Sequence, residues 1–194
     1  MKSTALFSAA LLATFPIASC TTPTPYQPYR AESAGGVHGG YSDQQLAADR
    51  FRVRFHGNEL TSRDRVEGYL LYRAAELTLQ HGYGWFMIVD RHTEHDRETY
   101  VQPDPFYDPF FGPGYASWRP HWRYYRSGVG WVDWHPERSG RFWSNDVDIR
   151  TVESFEADAE IVLRREAIPA GEPRAFDARK VLADLQPTVV RAKS

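Results

Sequence analysis

The sequence predicts an α+β fold: a small, largely antiparallel sheet packed by one long helix, with a short C-terminal helix beside it. Three stretches carry this expectation. Residues 50 to 56, RFRVRFH, alternate apolar and polar without a break. Residues 155 to 165, FEADAEIVLRR, alternate over a longer span. Between them, residues 61 to 81 place apolar side chains at helical spacing. A two-residue period marks a strand with one wet face, and a 3.6-residue period marks an amphipathic helix.

In the first strand Phe51, Val53 and Phe55 face inward, and Arg52, Arg54 and His56 face water. Gly57-Asn58 is a turn signal. Thr61 opens the run T-S-R-D, a hydroxyl with an acid three residues on, and reads as a capping-box-like helix start. The helix carries Val66, Leu70, Ala74 and Leu77 on one stripe, widened by Tyr69, Leu71 and Ala75. Glu67, Arg73, Glu76 and Gln80 are available for its solvent side, and Gly82 stops it. WFMIV, residues 85 to 89, is an unbroken apolar run that suits a central strand buried on both faces. The two strands flanking the helix are either parallel through a crossover or antiparallel with a third strand between them.

Further on, Phe155, Ala157, Ala159, Ile161 and Leu163 face inward and Glu156, Asp158, Glu160 and Arg164 outward. A short strand around Val147 to Val152 is expected to pair with this one as a hairpin. Residues 167 to 174 form a loop containing Pro and Gly. Asp177 then caps a last short helix, with Val181, Leu182 and Leu185 on its apolar side and Pro187 beyond its end.

The charge is balanced, 23 basic against 25 acidic residues, so no basic field points to nucleic acid. One cysteine, Cys20, occurs in 194 residues. Before it, Lys2 forms a short positive region and residues 5 to 18 are almost wholly small or apolar. That length fits a signal peptide and falls short of the roughly 20 apolar residues a spanning helix needs. Ile17-Ala18-Ser19-Cys20 resembles the bacterial lipobox, with Ile17 where Leu is usual. The resemblance implies cleavage before Cys20, a diacylglycerol on its sulfur and an acylated amino group. Two or three chains on one residue anchor a protein durably, because each buried CH₂ contributes about 0.8 kcal/mol. Thr21, standing where an Asp tends to retain such proteins at the inner membrane, implies the outer membrane.

The expected organisation is therefore a signal peptide over 1–19, a flexible tether over 20–45 leading from acylated Cys20, and one periplasm-facing α+β domain over 46–190. The tether is rich in Thr, Pro, Gly and Ser and lacks hydrophobic periodicity. Within the domain, residues 100 to 143 hold 14 of the 28 aromatic residues together with six prolines. Repeated Pro and Gly exclude a long helix there, and the aromatic content argues against ordinary disorder.

That aromatic, Pro-rich insertion is the leading functional candidate. Trp118, Trp122, Tyr124, Tyr125, Trp131 and Trp134 are interleaved with Arg119, Arg123 and Arg126. Flat exposed rings stack on sugars or grip apolar partners, and Arg beside Trp allows cation–π contact. The expected partner is an envelope protein or a cell-wall glycan; contact with the membrane interface, which Trp and Tyr favour, is a second option. The opposing expectation is that these rings are extra core.

Other clusters carry less. Asp90, His92 and Glu94 would share a strand face, with His95 on the other, so the alternative to a binding module is a metal-dependent hydrolase using His92 and Glu94. His121, Asp133, His135 and Glu137 sit among the tryptophans without a spacing that specifies chemistry. No G-x-S-x-G elbow, P-loop or dinucleotide fingerprint occurs. The expectation is a non-enzymatic protein with no cofactor.

Gly40-Tyr41-Ser42, then R-F-x-V-x-F-x-G-N at Arg50 to Asn58, then V-E-x-Y-L-L-Y-R-A-A-E-L-T at Val66 to Thr78, then Gly82-Tyr83, resemble an uncharacterised family of proteobacterial lipoproteins. F-D-A-R-x-V-L at Phe176 to Leu182 is similar to its C-terminal part. The resemblance covers residues 40 to 90 strongly and 150 to 190 weakly. It implies the anchor and the α+β domain, and it carries no catalytic residues over.

Overall fold

A computed structural model describes residues 22–31, 37–89, 113–134 and 152–192. The strands are β1 (Gly40–Ala47), β2 (Arg50–His56), β3 (Trp85–Val89), β4 (His121–Arg126), β5 (Gly130–Trp134), β6 (Val152–Arg164) and β7 (Ala175–Asp177). The helices are α1 (Arg63–Gln80) and α2 (Ala178–Leu185). The α+β expectation holds: the seven strands form one sheet in the order β1-β2-β6-β3-β7, with the hairpin β4-β5 joined to β6.

The 13-residue β6 organises the sheet. One edge takes β2. The other takes β4 along its first half and β3 along its second. All these pairs are antiparallel, so β2 and β3 run the same way with β6 between them. Helix α1 makes the crossover, and the unit is a split β-α-β. Both sequence alternatives held part of this: the direction is parallel, and a third strand separates the pair.

Strict alternation sets the two faces. Phe51, Val53, Phe55, Ala157, Ala159, Ile161 and Leu163 are buried against α1. Burying each large side chain contributes about 1.5–3 kcal/mol, so this layer dominates stability. Arg50, Arg52, Arg54, His56, Glu156, Asp158 and Glu160 lie on the opposite face. In β3, Phe86 and Ile88 are buried on one face, while on the other Trp85 is buried and Met87 and Val89 are half-buried, so the expected burial on both faces holds only in part.

Helix α1 starts one residue later than expected. Ser62 is the N-cap and accepts from Arg65 N, because the Thr61 hydroxyl is engaged elsewhere: it donates to Asn58 Oδ1 and accepts from Thr24 N. The expected end holds, with Gly82 at φ +74° beyond it. Asp177 caps α2 through Lys180 N, and Val181 and Leu185 are buried.

Two expectations are corrected by the N-terminal segment. The flexible tether over 20–45 does not extend that far, and the folded domain begins well before residue 46. Thr24, Tyr26 and Gln27 are buried, and β1 runs along β2 from Gly40. The Tyr26 ring packs edge-on against Tyr69 and Tyr72 of α1, and its hydroxyl donates to Glu76. Backbone bonds then tie Tyr26 N to Val190 O and Tyr41 N to Gln27 O. The supposed solvent side of α1 is covered in consequence: Glu67 and Arg73 are buried. Glu76 is half-buried and Gln80 exposed. Pro-rich composition removes regular periodicity but not the capacity of a single Tyr to pack.

Candidate functional site

The insertion 100–143 is not a separate element over its described part. Residues 121 to 134 form a hairpin that extends the sheet, and Tyr115 and Trp118 cover the side of β3 and β7 that faces α2. Trp118 packs edge-on to Phe86 and Phe176, with centroids 6.1 and 5.7 Å away. Tyr115 stacks on Phe176 and donates to Asp184 Oδ2 at 2.6 Å. Burial and the acceptor Asp184 push its phenol above the ordinary value.

Alternation along the hairpin sorts the other five candidate aromatics. Trp122 pairs with Ala157 and Trp134, and Tyr124 with Phe155 and Val132, so these rings share the helix-facing side of the sheet. Trp122 and Trp134 meet edge-on at 5.8 Å. The guanidinium of Arg63, in the first turn of α1, lies 5.8 Å from the Trp134 ring. Trp118, Trp122, Tyr124 and Trp134 are therefore core, and a partner cannot reach their faces. As partner-binding candidates they are corrected, because their strand register and the Tyr115–Trp118 turn aim them inward.

Tyr125 and Trp131 occupy the other side, both half-buried. Their centroids are 5.5 Å apart. Trp131 is also edge-on to His56 at 5.2 Å, and Arg123 lies over it at 5.2 Å. Tyr29, exposed, meets His56 edge-on at 5.8 Å, and His38 lies 6.5 Å from it. The result is an aromatic corner built by β2, β4, β5 and the N-terminal segment.

Behind it runs an ion ladder. His56 Nδ1 and Arg123 Nη1 each lie 3.4 Å from Glu156. Asp158 lies between Arg54, at 3.7 Å, and His121, at 3.8 Å. Arg50 and Arg52 meet Glu160. His121 and Arg123 also reach Asp133, so two members of the cluster read among the tryptophans do come together. The three carboxylates are buried under this flanking charge. Each is committed to arginine or histidine partners, which is an arrangement for holding strands and a polar face in register. Half-exposed rings beside fixed cations suit contact with a flat or polar partner.

Sequence reasoning places His56 on a wet strand face and stops there. Alternation assigns the face but cannot bring Trp131 or Tyr29 across it, and nothing in the tether composition singles out Tyr29. The motif residues, by contrast, go into the fold. Phe51, Val53, Phe55, Asn58, Val66, Glu67, Tyr69 and Thr78 are buried, which accounts for the motif without a reacting group.

Among the described residues no group of three or more His, Cys, Asp or Glu side chains is placed to hold a metal ion. Asp90, His92, Glu94, His95, His135, Glu137 and Cys20, and the expected strand up to residue 151, lie outside the described residues. Among the described residues no helix is long and apolar enough to cross a membrane. No family model, no curated protein and no solved structure matches this chain.

Proposed function

We infer that this is a lipid-anchored lipoprotein of the bacterial envelope, held by Cys20 at the outer membrane with its domain facing the periplasm, and that it acts as a binding or structural module. The observation that carries the module reading is the aromatic corner of Tyr29, Tyr125 and Trp131. It offers contact surface, and the carboxylates behind it are occupied by fixed cations. The lipobox-like Ile17-Ala18-Ser19-Cys20 supports the anchor.

Two measurements test this. Cys20→Ala should move the protein from the membrane to the soluble fraction, and the mature wild-type protein should begin at an acylated Cys20 by mass spectrometry. Wild-type protein that stays soluble sinks the anchor. A double substitution, Tyr125→Ala with Trp131→Ala, should leave the fold intact but fail to rescue the envelope defect of a deletion strain. Full complementation by that variant removes the corner from the function.

A further inference from the structure

The folded domain leaves almost no free chain between itself and Cys20. Thr22, two residues on, is already fixed: Asn58 Nδ2 donates to its carbonyl at 2.7 Å. Thr24 is fully buried. Its amide donates to Thr61 Oγ1 at 2.8 Å, and its hydroxyl accepts from Asn58 N at 2.9 Å and donates to His38 O at 2.9 Å. Two residues span at most about 7 Å. An acylated Cys20 therefore cannot hold the domain at a distance; it must hold the end where Thr22 sits against the lipid.

That end is the aromatic one. From Thr24 the path runs to His38, then to His56, and from His56 to Trp131 and Tyr29. The β4–β5 hairpin projects the same way, because Arg126 pairs with Val152, four positions beyond Glu156 on β6. Its tip carries Val129, 63% exposed, and the β2–α1 loop carries Leu60, 48% exposed. Tyr29, 52% exposed, meets His56 edge-on at this same end. Tyr and Trp rings with apolar bodies and polar tips favour the headgroup zone of a bilayer, and scattered aliphatic tips add apolar area that enters it. The far end of the sheet, where Arg164 and Trp85 pair, lies eight positions along β6 from Glu156, about 26 Å away.

We propose that the end of the domain formed by Leu60, Tyr29, Tyr125, Val129 and Trp131 lies against the headgroup interface of the bilayer that Cys20 anchors, and that α2's first turn, at the opposite end, is the periplasmic extremity. This rests on the lipoprotein reading above. It commits the aromatic corner to lipid, in place of a glycan or a protein.

The mature chain has no thiol other than that of Cys20, whose sulfur the anchor consumes, so single reporter sites can be installed cleanly. Leu60→Cys, Val129→Cys and Arg179→Cys, each purified in detergent as acylated full-length protein and labelled with an environment-sensitive dye, are reconstituted into phosphatidylethanolamine/phosphatidylglycerol vesicles containing a nitroxide-headgroup lipid. Labels at 60 and 129 should lose most of their emission and the label at 179 should keep it. Acylated, vesicle-bound protein in which 60 and 129 stay as bright as 179 overturns the apposition while leaving the anchor standing. Protein that carries no acyl chain by mass spectrometry, and fails to float with the vesicles, overturns the anchor and the apposition together.

Discussion

Arg73, in the middle of α1, donates through Nε to both oxygens of Asp43 on β1 at 3.1 Å, and through Nη2 to Asp43 Oδ2 at 2.5 Å. The guanidinium lies 4.4 Å from the Tyr41 ring and 3.1 Å from Glu76. Burial works against this charge, but the hydrogen bond and negative charge of Asp43 outweigh it and hold the guanidinium firmly protonated. This pair fastens the edge strand β1 to the helix.

Removing Asp43 strands a buried charge. Asp43→Ala should cost about 2–4 kcal/mol, toward the range for breaking buried pairs, because Glu76 retains part of the compensation. Urea unfolding checks this, with Gln44→Ala, exposed on the same strand, as a control expected within about 0.5 kcal/mol. Equal effects for the two would mean that the pair contributes nothing.

The two classes of tryptophan should separate by stability. Trp118→Ala empties a fully buried site and should cost about 3–5 kcal/mol. Trp131→Ala removes a half-buried ring and should cost about 1 kcal/mol. Thermal melts of the two variants decide it, and similar losses would put Trp131 in the core.

Gly40 has φ +125°, and a Cβ there would stand 2.4 Å from Gln27 O and 2.8 Å from Pro28 O. Gly128, at the hairpin tip with φ +76°, would meet nothing within 4 Å. Gly128→Ala should therefore cost only backbone strain, about 1–2 kcal/mol. Gly40→Ala adds a backbone collision and should cost clearly more, with faster proteolysis of the 22–31 segment. Limited digestion of both variants is the check.

Tyr26 predicts an alkaline effect. Burial, then the hydrogen bond and charge of Glu76, push its phenol far above its ordinary value of 10.0. A folded-state pKa raised in this way means that the associated stability is whole below about pH 10, and is lost as pH rises above it. Tyr26→Phe has no proton to lose. It should be less stable than wild type at pH 7, by about 1 kcal/mol for the missing hydrogen bond, and the gap should shrink above pH 10. Denaturant midpoints of both proteins at pH 7 and pH 10.5 measure it. A constant gap would show that Tyr26 does not titrate with unfolding.

Local pattern was enough for β2, α1, β3, β6 and α2 and for their inward faces, because a strand or helix period is written in consecutive residues. Asp177 as a cap and Gly82 as a stop were legible for the same reason: each acts on backbone groups within a few residues of itself. Three matters were settled by tertiary contact. The strand order β2-β6-β3 depends on pairing residues about a hundred positions apart, as Phe51 does with Ile161. The covering of Arg73 and Glu67 depends on a segment whose composition reads as a tether but whose Tyr26 finds two rings on α1. The division of the hairpin tryptophans into buried Trp122 and Trp134 and half-buried Trp131 depends on which face of the sheet the register turns each ring to. Periodicity states that a residue has a face; only the folded chain determines what, if anything, stands in front of it.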